Sequence, residues 1–189
     1  MLRSSGTARS STSRSTLGAL SPNGPPDAYE YVARNPDLTG TTEVTKAAST
    51  ENSSTGAVTI YVAGASGAVG SGPVAAVQAA VEAWATPLCI TPTVVSASAV
   101  PVAVTATVTG EDVPAGFATL ASSAISAAIG ALDIGEDVAR SALIAVLHDL
   151  AVAQGASRVS VTLAAPAADV TITDSQVAST GTVTITVVT

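Results

Sequence analysis

The segment 58–95 constrains the fold most strongly, because its hydrophobic period changes twice. Val58, Ile60 and Val62 alternate with other residues, as in a strand with one buried side. A glycine-rich connection, GASGAVGSG, follows, and a second strand is predicted over Ile90–Val95. Between them lies a predicted helix whose apolar stripe, expected to pack on the sheet, holds Val74, Val77, Val81 and Trp84. The order predicts a βαβ-like unit.

A second unit of the same kind follows. Strands are predicted over Val100–Thr109, Arg158–Leu163 and Gly181–Val188, and the phrase VTIT at 170–173 is a candidate for another. Two helices are predicted between the first two strands, the second over Asp137–Leu150, after a turn at 133–135. The predicted inward residues are Val102, Val104, Ala106 and Val108 in the strand, Phe117, Leu120, Ala124, Ile125, Ala128 and Leu132 in the first helix, and Val138, Leu143, Val146 and Leu150 in the second.

The pattern predicts an α/β (α+β) chain with two small strand–helix subdomains in tandem. We divide it into a disordered linker (1–16), a turn-rich segment with a short helix (17–55), a first subdomain (56–98) and a second (99–189). The last strand ends in an open edge unless something covers it, which points to assembly.

The turn-rich segment contains one predicted helix, AYEYVARN, capped by Asp27 and ending before Pro36. Glu30 and Arg34 lie four residues apart and should pair on its surface. The polar stretch 41–55 is predicted to be a loop or hairpin. The predicted inward face of the helix holds Ala28, Tyr31 and Val32.

The net negative charge of the chain lies in residues 47–189. The net charge is −7, with +1 in residues 1–46 and −8 in residues 47–189. Nucleic-acid binding requires a basic surface, which this acidic body lacks, so nucleic acid is not expected as a partner. The chain is 47% hydrophobic but only 3% aromatic. Small side chains bury little area each, which favours stabilisation by a partner.

The single cysteine, Cys89, excludes an intrachain disulfide and a cysteine-based metal site, and we expect it to be a buried apolar residue of a strand. No apolar run is long enough to span a bilayer, and the polar start lacks the apolar region of a secretory signal. Residues 1–16 have the Arg- and Ser-rich composition of a transit peptide, but a flexible linker is the favoured interpretation.

The segment from Val62 to Gly70, VAGASGAVG, imitates a dinucleotide-binding loop. A strand, then Gly64, Gly67 and Gly70, then a helix would let backbone N–H groups meet a pyrophosphate, as in short-chain dehydrogenase-like proteins. Four features oppose this. Ser71-Gly72-Pro73 should delay the helix, the second strand has no acid for a ribose, no Tyr is followed four residues later by Lys, and too little chain follows for a doubly wound sheet.

Other candidate sites are weaker. His148 and Asp149 are adjacent on a helix, about 100° apart, and should not form a dyad. The acidic residues at predicted helix ends are interpreted as favouring helix N-termini, although a calcium loop stays open as an alternative, without the D-x-D-x-D-G spacing. These residues are Glu111, Asp112, Asp133, Glu136 and Asp137. No catalytic, cofactor-binding or metal-ligating residue is predicted.

Four phrases in order resemble the baseplate J-like family, the wedge proteins of contractile phage-tail and injection-machine baseplates. They are SPNGPPDAYEYVARNPDLTG, VTIYVAGASGAVGSGPVAAVQAAVEAWATPLCITPTVVSA, LDIGEDVARSALIAVLHDLAVAQGASRVSVTLAAPAADVTI and VASTGTVTITV. The resemblance covers residues 17–189. Family members are usually longer before the SPNGP-like segment, so the resemblance implies a reduced or truncated form, with a shorter loop between Thr109 and Ala121 as well.

The resemblance implies a structural baseplate wedge subunit with no catalytic residue. Such a subunit associates with itself, as a dimer or ring, and with other wedge and tail-hub proteins. Its location would be a virion or tail-like particle assembled in the bacterial cytoplasm, with no membrane insertion. We expect residues 100–189 to mediate self-association. The alternatives are a nucleotide-binding protein acting through the Gly64–Gly70 loop and a non-catalytic surface or adhesive module.

Overall fold

Two short helices precede the first sheet. The computed structural model describes residues 26–86 and 90–188, so the linker predicted at 1–16, Pro87 and Cys89 lie outside the described residues. Helix α1 spans Pro26–Arg34 and helix α2 spans Pro36–Thr39. The side chain of Asn35 caps α2 by accepting a hydrogen bond from the Asp37 N–H at 3.0 Å.

The predicted helix in this segment is confirmed, but its inward face and its cap differ from the prediction. Tyr29 is 1% exposed, whereas Tyr31 is only partly buried. Asp27 lies within the first turn of α1, where its charge favours the helix dipole, and so it does not precede the helix as a cap. The predicted pair of Glu30 and Arg34 forms, at 3.3 Å.

The first sheet has the order β1-β2-β3. Strands β1 (Lys46–Asn52) and β2 (Ala57–Ala63) form an antiparallel hairpin. The hairpin alternative for 41–55 is therefore confirmed, although the polar sequence KAASTEN did not reveal its strand. Helix α3 (Ser71–Trp84) connects β2 to β3 (Thr93–Ser96), which is parallel to β2. This confirms the βαβ-like unit.

The second sheet has the order β5-β4-β6. Strand β4 (Ser98–Glu111) leads through helices α4 (Phe117–Ala131) and α5 (Arg140–Ala153) to β5 (Ser157–Ala165). β5 is antiparallel to β4, and the last strand, β6 (Gln176–Val188), is parallel to it. Both three-stranded sheets are mixed and both carry helices, so the predicted α+β class is correct.

Two predicted elements of the second unit differ in detail. Helix α5 begins at Arg140 and not at Asp137, because Val138 instead exchanges backbone hydrogen bonds with Val170 in an isolated bridge. The candidate strand at 170–173 is reduced to this bridge, although Ile172 is buried.

The larger core lies between one face of the second sheet and the two helices. The predicted alternation in β4 is confirmed, since Val102, Val104, Ala106 and Val108 are buried against α4 and α5. The opposite face carries mainly short polar residues, among them Thr105, Thr109, Ser160, Thr162, Thr182, Thr184 and Thr186, all exposed. The core residues of the helices are Phe117, Ala121, Ile125, Ile129, Leu143, Leu147 and Ala151.

Two predicted core residues are exposed. Trp84 is 68% exposed, so the prediction that it packs on the sheet is wrong. It is the last residue of α3, and the buried residues of that helix end at Val81. Leu120 is 47% exposed, because the buried stripe of α4 passes through its neighbour Ala121, which lies about 100° away around the helix. Ala124, Ala128, Leu132, Val146 and Leu150 are only partly buried.

The stripe in α4 can be tested with two matched truncations. Ile125→Ala removes a fully buried side chain and should lower the free energy of unfolding by about 2–5 kcal/mol. Leu120→Ala should change it by no more than about 0.5 kcal/mol, since the side chain is half exposed. Urea unfolding followed by circular dichroism measures both. Equal losses would contradict the helix orientation described here.

Candidate functional site

The glycine-rich loop closes on itself by backbone hydrogen bonds. The Gly64 N–H donates to the Gly67 carbonyl at 2.8 Å, and the Gly67 N–H donates to the Gly64 carbonyl at 3.3 Å. The Val69 N–H donates to Ser96 Oγ at 3.0 Å. Three N–H groups that a pyrophosphate would require are therefore already bonded within the fold.

One sequence argument against a dinucleotide loop is wrong. Helix α3 begins at Ser71 with Gly70 as its N-cap residue, so Ser71, Gly72 and Pro73 form the first turn and do not delay the helix. The loop thus has the strand–turn–helix connection of a nucleotide-binding protein. The internal bonding of Gly64 and Gly67, which the sequence could not reveal, now provides the main objection.

The glycines allow the loop to lie against the second sheet. Gly67 has φ +124°, and a Cβ added to it would lie 3.3 Å from Ser179 Cβ and 3.4 Å from Ala99 Cβ. On helix α4, a Cβ added to Gly130 would lie 3.1 Å from the Ala65 carbonyl oxygen. These approaches leave no room for larger side chains, so the loop functions as a packing element between the two sheets.

Small residues complete this junction. Ala63, Ala97 and Val177 form a buried cluster, with Tyr61 and Ile134 packed against it. The Ala97 N–H donates to the Val62 carbonyl at 2.9 Å, at the point where the chain leaves the first sheet and enters the second. β4 begins at Ser98, directly after Ala97.

Lys46 is buried at the same junction. It begins β1 opposite Ala63, is 5% exposed, and its Nζ has no hydrogen-bond partner among the described residues. Burial lowers the pKa of Lys46, and the nearby negative charges of Asp133 and Glu136 partly oppose that shift. The amine therefore lies in the field of an acidic turn of the second unit without a direct bond.

The remaining candidates are structural or exposed. His148 Nδ1 lies 3.4 Å from Asp149 Oδ1, closer than helical spacing suggested, and both side chains are exposed at the surface. Tyr29 Oη is buried without a hydrogen-bond partner in the described residues, and burial raises the pKa of Tyr29. Within 26–86 and 90–188, no three metal-ligating side chains converge.

The prediction that the five acidic residues lie at helix N-termini is wrong. Neither α4 nor α5 has an acid in its first turn. Glu111 instead pairs with Arg158 at 2.7 Å, and Asp137 accepts a hydrogen bond from the Ile172 N–H at 2.7 Å. The N-terminus of α5 is bonded by Asp169, whose carboxylate accepts from the Arg140 N–H at 2.7 Å. Since Asp169 lies 29 residues away in sequence, no local signal revealed it.

Within residues 26–86 and 90–188, side chains bond one or two main-chain groups at three of the four sheet edges. At β1, the Ser49 N–H donates to Glu30 Oε1 at 3.1 Å. At β3, the Val94 N–H donates to Gln78 Oε1 at 2.7 Å, and Gln78 Nε2 donates to the Pro92 carbonyl at 2.9 Å. At β5, Arg140 Nη2 donates to the Leu163 carbonyl at 2.7 Å. These bonds occupy main-chain groups that an added strand would need.

The fourth edge, that of β6, is different. In the described part of the chain, the main chain of 181–188 makes hydrogen bonds only with β4. The sequence of β6, QVASTGTVTITVV, contains no charged residue and no proline, the usual features that protect an edge strand. We call residues 181–188 the open edge.

Comparisons with known proteins give no assignment, since no protein-family model and no curated protein sequence matches this chain. Among the helices in the described residues, none combines the length and the apolar character needed to cross a bilayer.

Gly67→Ala tests the packing role of the loop. The substitution forces alanine into a backbone region suited to glycine and crowds Ser179, so it should lower the free energy of unfolding by about 1–3 kcal/mol. The matched control is Gly72→Ala in the first turn of α3, where a Cβ meets open space. The control should leave stability unchanged or raise it by up to about 1 kcal/mol. A tolerated Gly67→Ala would refute the close approach.

Lys46→Met tests the buried amine. The folded state disfavours the charged amine, so the unfolded chain binds more protons between the lowered pKa of Lys46 and its ordinary value. At neutral pH the substitution should raise the free energy of unfolding by about 1 kcal/mol. This gain should shrink as pH rises through that window. Unfolding curves from pH 7 to alkaline pH measure it, and a loss of stability at neutral pH would contradict the unpaired state.

Proposed function

We propose that this chain is a structural subunit of a baseplate-like assembly, acting through association with itself and with other baseplate wedge and tail-hub proteins. The observation that carries this proposal is the open edge of β6; at each of the other three sheet edges of the described chain, a side chain bonds at least one main-chain group. A long uncovered strand without charge or proline is a template for another strand.

The order of the four phrases that resemble the baseplate J-like family supports the same role. The resemblance includes the VASTGTVTITV phrase, which lies within β6. The proposed location is therefore a virion or tail-like particle, with assembly in the bacterial cytoplasm. The core is consistent with a protein stabilised by partners, because alanine and valine make up most of its buried residues and bury little area each.

The nucleotide-binding alternative has weaker support. Gly64 and Gly67 use their N–H groups on each other's carbonyl oxygens, and the turn is packed against Ala99 and Ser179. A pyrophosphate bound by the Gly64 and Gly67 N–H groups would have to break those bonds. The geometry favours a structural turn.

Fractionation of a lysate of the source organism on a density gradient tests the proposal. We expect this chain, identified by mass spectrometry, to sediment with contractile-tail-like particles, because a wedge subunit is a fixed part of the baseplate. Washing the particles at high salt is the control, and it should not remove an integral subunit. Recovery only in soluble, low-mass fractions would contradict the baseplate role.

A further inference from the structure

We propose that two copies of this chain pair directly through β6, antiparallel and edge to edge about a two-fold axis. This inference rests on the proposed assembly role and specifies the surface and the partner. The product is one continuous sheet of order β5-β4-β6-β6-β4-β5, made from two three-stranded sheets. Strand addition of this kind satisfies main-chain donors and acceptors that are otherwise left to water.

The limits of the contact follow from what lies beside β6. The first part of β6 is next to the Gly64–Gly67 turn, where a Cβ on Gly67 would be 3.3 Å from Ser179 Cβ. The register shift between β4 and β6 occurs between Val102 and Val104, opposite Thr180 and Val183. Beyond it the pairing with β4 is regular up to Val188, so this part of the open edge has no bulge that would disrupt pairing with another strand.

The side chains of the open edge match a second copy of themselves. A two-fold axis perpendicular to the sheet places the helices of both copies on the same side. Val183, Ile185 and Val187, which pack on the core but are only partly buried, then meet their counterparts and extend that core across the axis. On the other face, exposed threonines meet threonines. These are Thr182, Thr184 and Thr186. Thr–Thr and β-branched cross-strand pairs stabilise sheets.

Charge selects this edge as well. Residues 47–189 carry a net charge of −8, so most approaches of two copies bring like charges together. No residue of β6 is charged, so two copies can meet there without placing one carboxylate opposite another. The other edge of the same sheet is β5, which carries Arg158 in an ion pair with Glu111. Its Leu163 carbonyl already accepts a hydrogen bond from Arg140. A second copy therefore fits β6 and not β5.

The expected dimer is weak by itself. A contact made mainly by eight residues per copy, 181–188, buries less than the roughly 1,600 Å² of a standard interface. Several such contacts in a ring would reinforce one another through effective concentration. The isolated chain should therefore dimerise reversibly at high protein concentration.

Charge substitutions on the open edge test the pairing. Thr184→Lys/Thr186→Lys places lysines opposite or diagonal to the same lysines of the other copy, which should raise the dimer dissociation constant about tenfold or more. Thr184→Glu/Thr186→Glu should do the same. An equimolar mixture of the two variants should restore the dimer, because opposite charges then face each other. Sedimentation velocity over roughly 10 µM to 1 mM measures all three samples.

The control is Ser160→Lys/Thr162→Lys, which adds the same charge to exposed residues of the same sheet face, but on β5. It should dimerise like the wild type, and thermal unfolding should confirm that all variants fold. If the wild type dimerises and the β6 variants dimerise equally well, the edge pairing is wrong, although the chain does associate with itself. An equal loss in the β5 control would also overturn the edge pairing, because it would indicate packing through the sheet face. A wild type that stays monomeric throughout would overturn both the pairing and self-association.

Discussion

The fold depends on the close approach of backbone to backbone where the two sheets meet. At Gly67 and Gly130 an added Cβ would lie within 3.1 to 3.4 Å of Ser179, Ala99 and the Ala65 carbonyl oxygen. The Gly64–Gly67 turn is closed by its own hydrogen bonds, so it presents a rigid surface to the second sheet. Because β3 leads to β4 through Ala97 alone, the chain passes from one sheet to the other within this packed region.

The sequence predicted the elements whose periodicity is strong and local. Alternation identified β2 and β4, and the change to a helical period identified α3 and α4, so the α+β class followed directly. Strand β1 was not identified as a strand, because KAASTEN is polar and becomes a strand only by pairing with β2. Trp84 and Leu120 were wrongly predicted to be buried. The sequence spacing of apolar residues does not show where a helix ends or which side of it finally faces the core.

The candidate site was predictable only in part, because its contacts join distant segments. The sequence identified the glycines of 64–70 as a connecting turn. It did not show which acceptors their N–H groups bind, because Gly64 and Gly67 bond to each other only when the turn is folded. Lys46 gave no sequence signal of burial, since its position follows from pairing with Ala63. The open end of β6 was anticipated, whereas the side chains that bond main-chain groups at the other edges, Glu30, Gln78 and Arg140, became visible only in three dimensions.

The same glycine pattern can serve two purposes, and hydrogen-bond geometry distinguishes them. A strand, a glycine turn and a helix bind a phosphate only when the N–H groups of the turn point outward without partners. Here the N–H groups of Gly64, Gly67 and Val69 are satisfied internally, whereas the outward main-chain groups of 181–188 have no protein partner among the described residues. The open edge thus presents a row of main-chain groups spaced for another strand. That spacing favours a polypeptide over a small anion as the ligand, and it is the physical basis of the proposed assembly role.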